Sequence, residues 1–390
     1  MTLTLPALAN CHSHAFHRAL RGRVTGADSF SPTTFWQWRD QMYALAGTLD
    51  PDLMFALAKA TYGEMRLAGI GVVGEFHYVH HGPDGIPYGD PNAMGEALIA
   101  AAREAGIRIC LLDTCYLAAG FPSRASGQAA PEGVQQRFSD GSAEAWAARV
   151  NDLAARYEAA DDVVIGAAIH SVRAVPADQL ATVADALPHA PLHVHVSEQP
   201  AENEECMAAT GLTPTALLAE AGVWTSRTTA VHATHLTSGD IHTIGEAASY
   251  VCFCPTTERE LADGIGPSVA LRDAGARLTL GSDSNTVIDM FEEARAVEMN
   301  ERLASGIRGA WTARELAEAA TATGYESLGF PSGDQIQLST DSVRMAGVIE
   351  PLWAATAADV IADPGEVAYD LHRAVARNLQ SAIDNCWSRV

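Results

Sequence analysis

Eight short apolar runs recur along this chain, each separated from the next by a stretch long enough for a helix. They span residues 5–9, 72–79, 107–114, 163–170, 192–196, 229–234, 250–254 and 277–281. Between them lie amphipathic stretches rich in Ala, Leu and Glu at helical spacing, such as 51–68, 92–105, 143–159, 177–187 and 238–248. Strands joined through helices return to the same end of a sheet, so they run parallel. Eight such units predict an α/β fold, a closed (β/α)8 TIM barrel over residues 8–330. An open doubly wound sheet fits less well, because no Gly-x-Gly-x-x-Gly follows the first run.

The rhythm stops after Gly324. Segments 1–7 and 331–390 are expected to flank the barrel, with strand-like pieces at 336–338 and 343–345 and a terminal helix over 367–383. Two segments break the pattern earlier. Residues 16–47, which hold Phe35-Trp36-Gln37-Trp38-Arg39, follow the first strand, and the Gly/Ser/Pro-rich residues 118–141 follow the third. Excursions after barrel strands lie on the face where strands end and active sites sit, so both are candidate lids or substrate walls.

Charge narrows the function classes. Lys+Arg 25 against Asp+Glu 48 gives a net charge of −23, which repels nucleic acid and anionic membranes. A small anionic substrate would need dedicated arginines. The cysteines at 11, 110, 115, 206, 252, 254 and 386 form no Cys-x-x-Cys pair, and several lie in apolar runs. They read as reduced, buried thiols of a cytoplasmic protein. No basic start precedes an apolar core, and no apolar run approaches the ~18 residues of a spanning helix. Neither secretion nor membrane insertion is expected.

Histidines gather where the strands end. In Asn10-Cys11-His12-Ser13-His14 an extended strand would point His12 and His14 to one side, so that both could hold one metal ion. The fifth strand carries His193 and His195 with Glu198 three residues on, the sixth carries His232 and His235, and Asp283 follows the eighth. Each has a plainer alternative. His193 and His235 read better as core histidines, and Asp283 could cap a helix. The set His12, His14, His195 and Asp283 offers three imidazoles and a carboxylate, suited to Zn2+ with a position left for water; iron or another divalent ion accepts the same ligands.

This pattern resembles the amidohydrolase superfamily in its mononuclear deaminase branch. Many two-metal members carry a carboxylated lysine on strand four; here that strand has none, and the one lysine is Lys59. Within the superfamily the chain is similar to the N-formimino-L-glutamate deiminase family. The similarity runs through His12-Ser13-His14-Ala15-Phe16, Phe35-Trp36-Gln37-Trp38-Arg39, Gly74-Glu75-Phe76-His77-Tyr78-Val79-His80-His81, His170-Ser171-Val172-Arg173, His195-Val196-Ser197-Glu198-Gln199, Val231-His232-Ala233-Thr234-His235 and Gly281-Ser282-Asp283-Ser284. The resemblance implies hydrolysis of N-formimino-L-glutamate to N-formyl-L-glutamate and ammonia in histidine degradation. It implies Glu198, His232 and Asp283 as catalytic groups and Arg39, Tyr78, His170 and Arg173 as substrate contacts. It places His17 where the family usually has glutamine. It also implies a homodimer and a small β-sandwich beside the barrel, here reduced.

Two other readings stay open. A purine or heterocycle deaminase would use the same zinc set without two arginines aimed at carboxylates. A non-catalytic metal-binding barrel would have no need of Glu198 and His232.

Overall fold

The computed structural model describes residues 2–23, 35–122, 128–361 and 367–390. Among these, eight strands form one parallel sheet in sequence order: β2 (Leu8–Ser13), β3 (Ile70–His77), β4 (Arg108–Cys115), β5 (Val163–Ile169), β6 (Leu192–Val196), β7 (Thr228–His232), β8 (Tyr250–Phe253) and β9 (Arg277–Leu280). Helices cross between most of them, including α2 (Pro51–Leu67), α3 (Ala93–Ala105) and α4 (Ala143–Tyr157). Helix boundaries follow local chemistry. The Asp50 side chain accepts from the Leu53 N–H with Pro51 at the first position of α2, and Gly106 ends α3 in a left-handed conformation.

The barrel closes between β9 and β2. The Asp283 N–H donates to the His12 carbonyl at 2.9 Å, and the His14 N–H donates to the Asp283 carbonyl at 3.0 Å. Glycine is needed at this seam: a Cβ on Gly281 would lie 2.7 Å from His12 Cβ and 2.8 Å from its carbonyl oxygen. Closure therefore sets His12, His14 and Asp283 side by side.

A separate antiparallel sheet pairs β1 (Thr2–Pro6) with β10 (Gln335–Ser339), and β10 with β11 (Val360–Ile361). The first apolar run, read as one strand over 5–9, is in fact divided between two sheets. The Ala7 N–H still bonds to Asp334 on the flanking side, while the Leu8 N–H bonds to Gly69 in the barrel. Hydropathy continues across this switch, so the run looked single. Residues 343–345 are a turn and not a strand: the Met345 N–H donates to the Ser342 carbonyl. Val343 is 96% exposed, so its β-branched character has nothing to pack against. The terminal helix is longer than expected, Val367–Trp387, and the stretch over 177–187 opens with a 3-10 turn, Ala177–Gln179, before the helix Leu180–Ala186. All seven cysteines are free and buried. No helix among the described residues is long and apolar enough to cross a membrane.

Candidate active site

The strand period of two sorts the residues of β3 and the loop after it. Phe76 and Tyr78 face the barrel mouth, where Phe76 packs on the rings of His12 and His195. Glu75 and His77 face outward to the helix layer. Glu75 accepts from the Ala15 N–H at 2.7 Å, and burial pushes its pKa up to about 8.

Four side chains converge at the mouth. His12 Nε2 lies 3.0 Å from His195 Nε2 and 3.5 Å from Asp283 Oδ1, and His14 Nε2 lies 3.4 Å from the same oxygen. A tetrahedron built on bonds of ~2.0–2.1 Å has edges of about 3.3 Å, so these separations fit one small cation. The ring orientations also fit. His14 Nδ1 donates to the Phe76 carbonyl at 2.9 Å, and His195 Nδ1 to the His170 carbonyl at 3.0 Å. Those bonds place the proton on Nδ1 and leave the Nε2 lone pair facing inward. Burial holds His12, His14 and His195 below the ordinary histidine pKa, hence neutral. Burial would raise Asp283, but His12 and its neighbours outweigh this and keep it ionised below the usual carboxylate range. Neutral imidazoles and an ionised carboxylate are the forms a divalent metal binds.

Glu198 and His232 stand beside this group. His232 Nε2 is 3.9 Å from both Glu198 Oε1 and Asp283 Oδ2, and its Nδ1 is 3.4 Å from Glu258 Oε1. Burial raises the Glu198 pKa. It works against the charge on His232, yet Glu198, Glu258 and Asp283 lift His232 well above its ordinary value. His232 (φ 68°) and Asp283 (φ 46°) both adopt the left-handed conformation. Non-glycine residues there cost roughly 1–3 kcal/mol each, a strain that recurs where strand ends must aim a side chain.

The mouth opens into a cleft of ≈ 670 Å³, including its open side, lined by His17, Arg39, Tyr78, His170 and Arg173 as well as by His14, His195, Glu198, His232 and Asp283. His12 lies behind the lining, fully buried. Helix α1 (Phe35–Thr48) and the 3-10 turn Gly133–Phe138 bring walls from both excursions; residues 24–34 and 123–127 of those excursions lie outside the described residues. Arg39 lies over the Trp36 ring, and its buried Nε has no hydrogen-bond partner. Arg173 lies 3.8 Å from Glu202, a loose ion pair. His17 Nε2 is 3.0 Å from the Tyr78 hydroxyl, and burial lowers its pKa to about 3.

His193 and His235 do not join the cluster. His193 is fully buried with neither ring nitrogen bonded, and His235 Nε2 donates to the Asp263 carbonyl at 2.7 Å. Asp283 caps no helix; the cap of the next one, Met290–Ser305, is Asp289. Sequence reasoning missed Met42, Tyr43, Tyr116 and Phe138, which line the cleft, and Glu258 behind His232. Tyr116 directly follows β4, a position that could have signalled it.

Residues 3–334 match the Amidohydrolase family, and the chain belongs to it. It is a metal-dependent hydrolase. It is 38% identical over 337 residues to a formimidoylglutamate deiminase of Pseudomonas aeruginosa, an alignment covering 84% of this chain and 73% of that relative. It is 27% identical to a 5-methylthioadenosine/S-adenosylhomocysteine deaminase of Teredinibacter turnerae, covering 84% and 67% respectively. The crystal structure of an amidohydrolase from Brucella melitensis superposes with a TM-score of 0.86 at 30% identity, over 98% of this chain and 90% of that one.

Proposed function

We propose that the chain hydrolyses N-formimino-L-glutamate to N-formyl-L-glutamate and ammonia, a step of histidine degradation in the cytoplasm, with one zinc ion held by His12, His14, His195 and Asp283. The observation that carries the reading is that Arg39 and Arg173 line the same cleft as Glu198, His232 and Asp283. A dicarboxylate substrate calls for planar cationic forks, whereas a purine does not. The 38% identity to a formimidoylglutamate deiminase, against 27% to the nucleoside deaminase, supports the same choice.

Bound zinc would lower the pKa of a water toward ~7. Asp283, ionised, is placed to take a proton from the attacking water as the water oxygen adds to the formimino carbon. His232, charged and 3.9 Å from two carboxylates, orients the oxygen and balances the developing negative charge. Glu198, its pKa raised by burial, gives a proton to the terminal nitrogen, which departs as ammonia. Tyr78, His170 and His17 are substrate contacts on the wall between the metal ligands and the arginines.

Ammonia release from N-formimino-L-glutamate by zinc-loaded protein, with guanine and adenosine in parallel, tests the reading. Turnover that collapses in Arg173→Met is expected. Activity on a heterocycle with none on formiminoglutamate would overturn it.

A further inference from the structure

The 3-10 turn Gly133–Phe138 carries one side chain whose polarity is fixed. Gln135 closes a capping box in which its Oε1 accepts from the Glu132 N–H, so its amide nitrogen must face the other way. That nitrogen lies 3.1 Å from the Tyr43 hydroxyl and 2.7 Å from the Tyr116 hydroxyl. An amide NH2 only donates, so both phenol oxygens accept from it and both phenol protons must point elsewhere. Even with one hydroxyl turned to the other, the second proton has no acceptor among the described residues. Both rings line the cleft beside Arg39 and Arg173. Arg39 lies 5.5 Å over the Tyr43 ring, and the Tyr116 ring packs 4.8 Å from His170, itself 5.3 Å from the ring of His195. Tyr116 is thus two ring contacts away from a metal-site histidine, and Tyr43 reaches the same Gln135 amide.

We propose that Gln135 turns Tyr43 and Tyr116 into a donor pair which, with Arg39 and Arg173, receives the distal side-chain carboxylate of the substrate. This rests on the dicarboxylate reading above and assigns specificity to three residues beyond the arginines. The cradle is rich in donors: two guanidinium groups and the phenol protons, with the amide occupying an acceptor position on each tyrosine. A neutral heterocycle gains little there, and a second carboxylate gains a hydrogen bond of the charge-assisted kind.

The test compares wild type with Tyr43→Phe/Tyr116→Phe, Gln135→Leu and Gln135→Glu on N-formimino-L-glutamate and on N-formimino-L-2-aminobutyrate, which lacks the distal carboxylate. In the double variant KM for formiminoglutamate should rise about tenfold with kcat within about twofold, while KM for the shortened analogue stays put. Gln135→Glu should be worse than Gln135→Leu, since a carboxylate would draw both phenol protons away and repel the substrate. A purely structural role would rank the bulk-conserving Glu as the milder change. Equal KM in all four proteins, or equal losses on both substrates, would overturn the proposal. Glutarate binding by calorimetry separates the two readings. If wild type is inactive on formiminoglutamate, the proposed reaction fails, yet glutarate affinity that drops about tenfold in Gln135→Glu still supports the cradle. Glutarate affinity unchanged across the variants would sink it.

Discussion

Two buried clusters of ligand-type side chains sit within the same barrel. One is His12, His14 and His195 at the mouth, whose ligand atoms lie within 4.8 Å of one another, with Asp283 in like reach of His12 and of His14; the other is His77, His80 and Asp113 in the helix layer outside β3 and β4, grouped as closely. They differ in what already satisfies them. Arg149 Nη1 and Nη2 each donate to Asp113 at 2.8 Å, and Trp146 Nε1 donates to Asp113 Oδ1 at 2.8 Å. The same guanidinium reaches Asp140 with two bonds of 2.9 Å, and His80 Nε2 donates to the Thr114 carbonyl at 2.8 Å. The second cluster therefore contains its own cation, and both oxygens of its carboxylate are already bonded. At the mouth no arginine or lysine bonds to Asp283 among the described residues, and the imidazole lone pairs face one another. Proximity of ligand-type side chains does not make a metal site; uncommitted lone pairs around an uncompensated carboxylate do.

The largest expected effect is on turnover. Dialysis against a chelator should take ammonia release to background and zinc should restore it, while the Arg149 cluster has nothing to lose. Full activity in metal-free protein would erase the distinction. Glu198→Gln comes next: kcat should fall by about 10²–10⁴-fold with metal content unchanged. A rate near wild type would remove Glu198 from the proton transfers.

The second cluster is expected to answer in stability. Arg149→Met leaves two buried carboxylates without their cation and should cost about 3–5 kcal/mol, read from denaturant midpoints, without altering the metal content of the surviving folded protein. A midpoint close to wild type would mean the arginine is not what holds this cluster. The smallest effect is on acid stability. Burial would raise Asp113, but Arg149 and His80 outweigh it and hold its pKa at about 2, and Asp140 is likewise held below the carboxylate range. A depressed carboxylate contributes stability that is fully present above its unfolded pKa near 4 and lost as pH falls through the folded value. Stability should decline between pH 4 and pH 2, with Asp113 supplying on the order of 2 kcal/mol of it. A Glu198→Gln variant should keep this slope, and Arg149→Met should flatten it. An unchanged slope in Arg149→Met would separate acid unfolding from the cluster.

How legible these features were in sequence depends on the length scale of the chemistry. The alternation of apolar runs with helical stretches is local, and it leads to seven of the barrel strands with ends shifted by at most two residues and to the first, Leu8–Ser13, shifted by three at its start and four at its end. His12 and His14 share a face because a strand repeats every two residues, so that pair could be read directly. Asp283 needed only its place after the last strand. Arg149, by contrast, joins residues drawn from positions 77 to 149 through helix packing, with no spacing that marks them. His77, His80 and His81 stand in a stretch that resembles the family, yet they do not line the cleft. Gln135 lies in a Gly/Ser/Pro-rich excursion where composition says loop, and its orientation depends on a capping box of two side chains. The split of the first apolar run at Pro6 and Ala7 was hidden because both sheets bury the same kind of residue.

The metal-to-protein ratio after zinc loading and exhaustive dialysis, measured on wild type, His195→Ala and His80→Ala, bears on the contrast between the clusters most directly. The account predicts one zinc per chain in wild type, close to none in His195→Ala and one in His80→Ala. Two zinc ions per chain in wild type, or a loss in His80→Ala that matches the loss in His195→Ala, would contradict it.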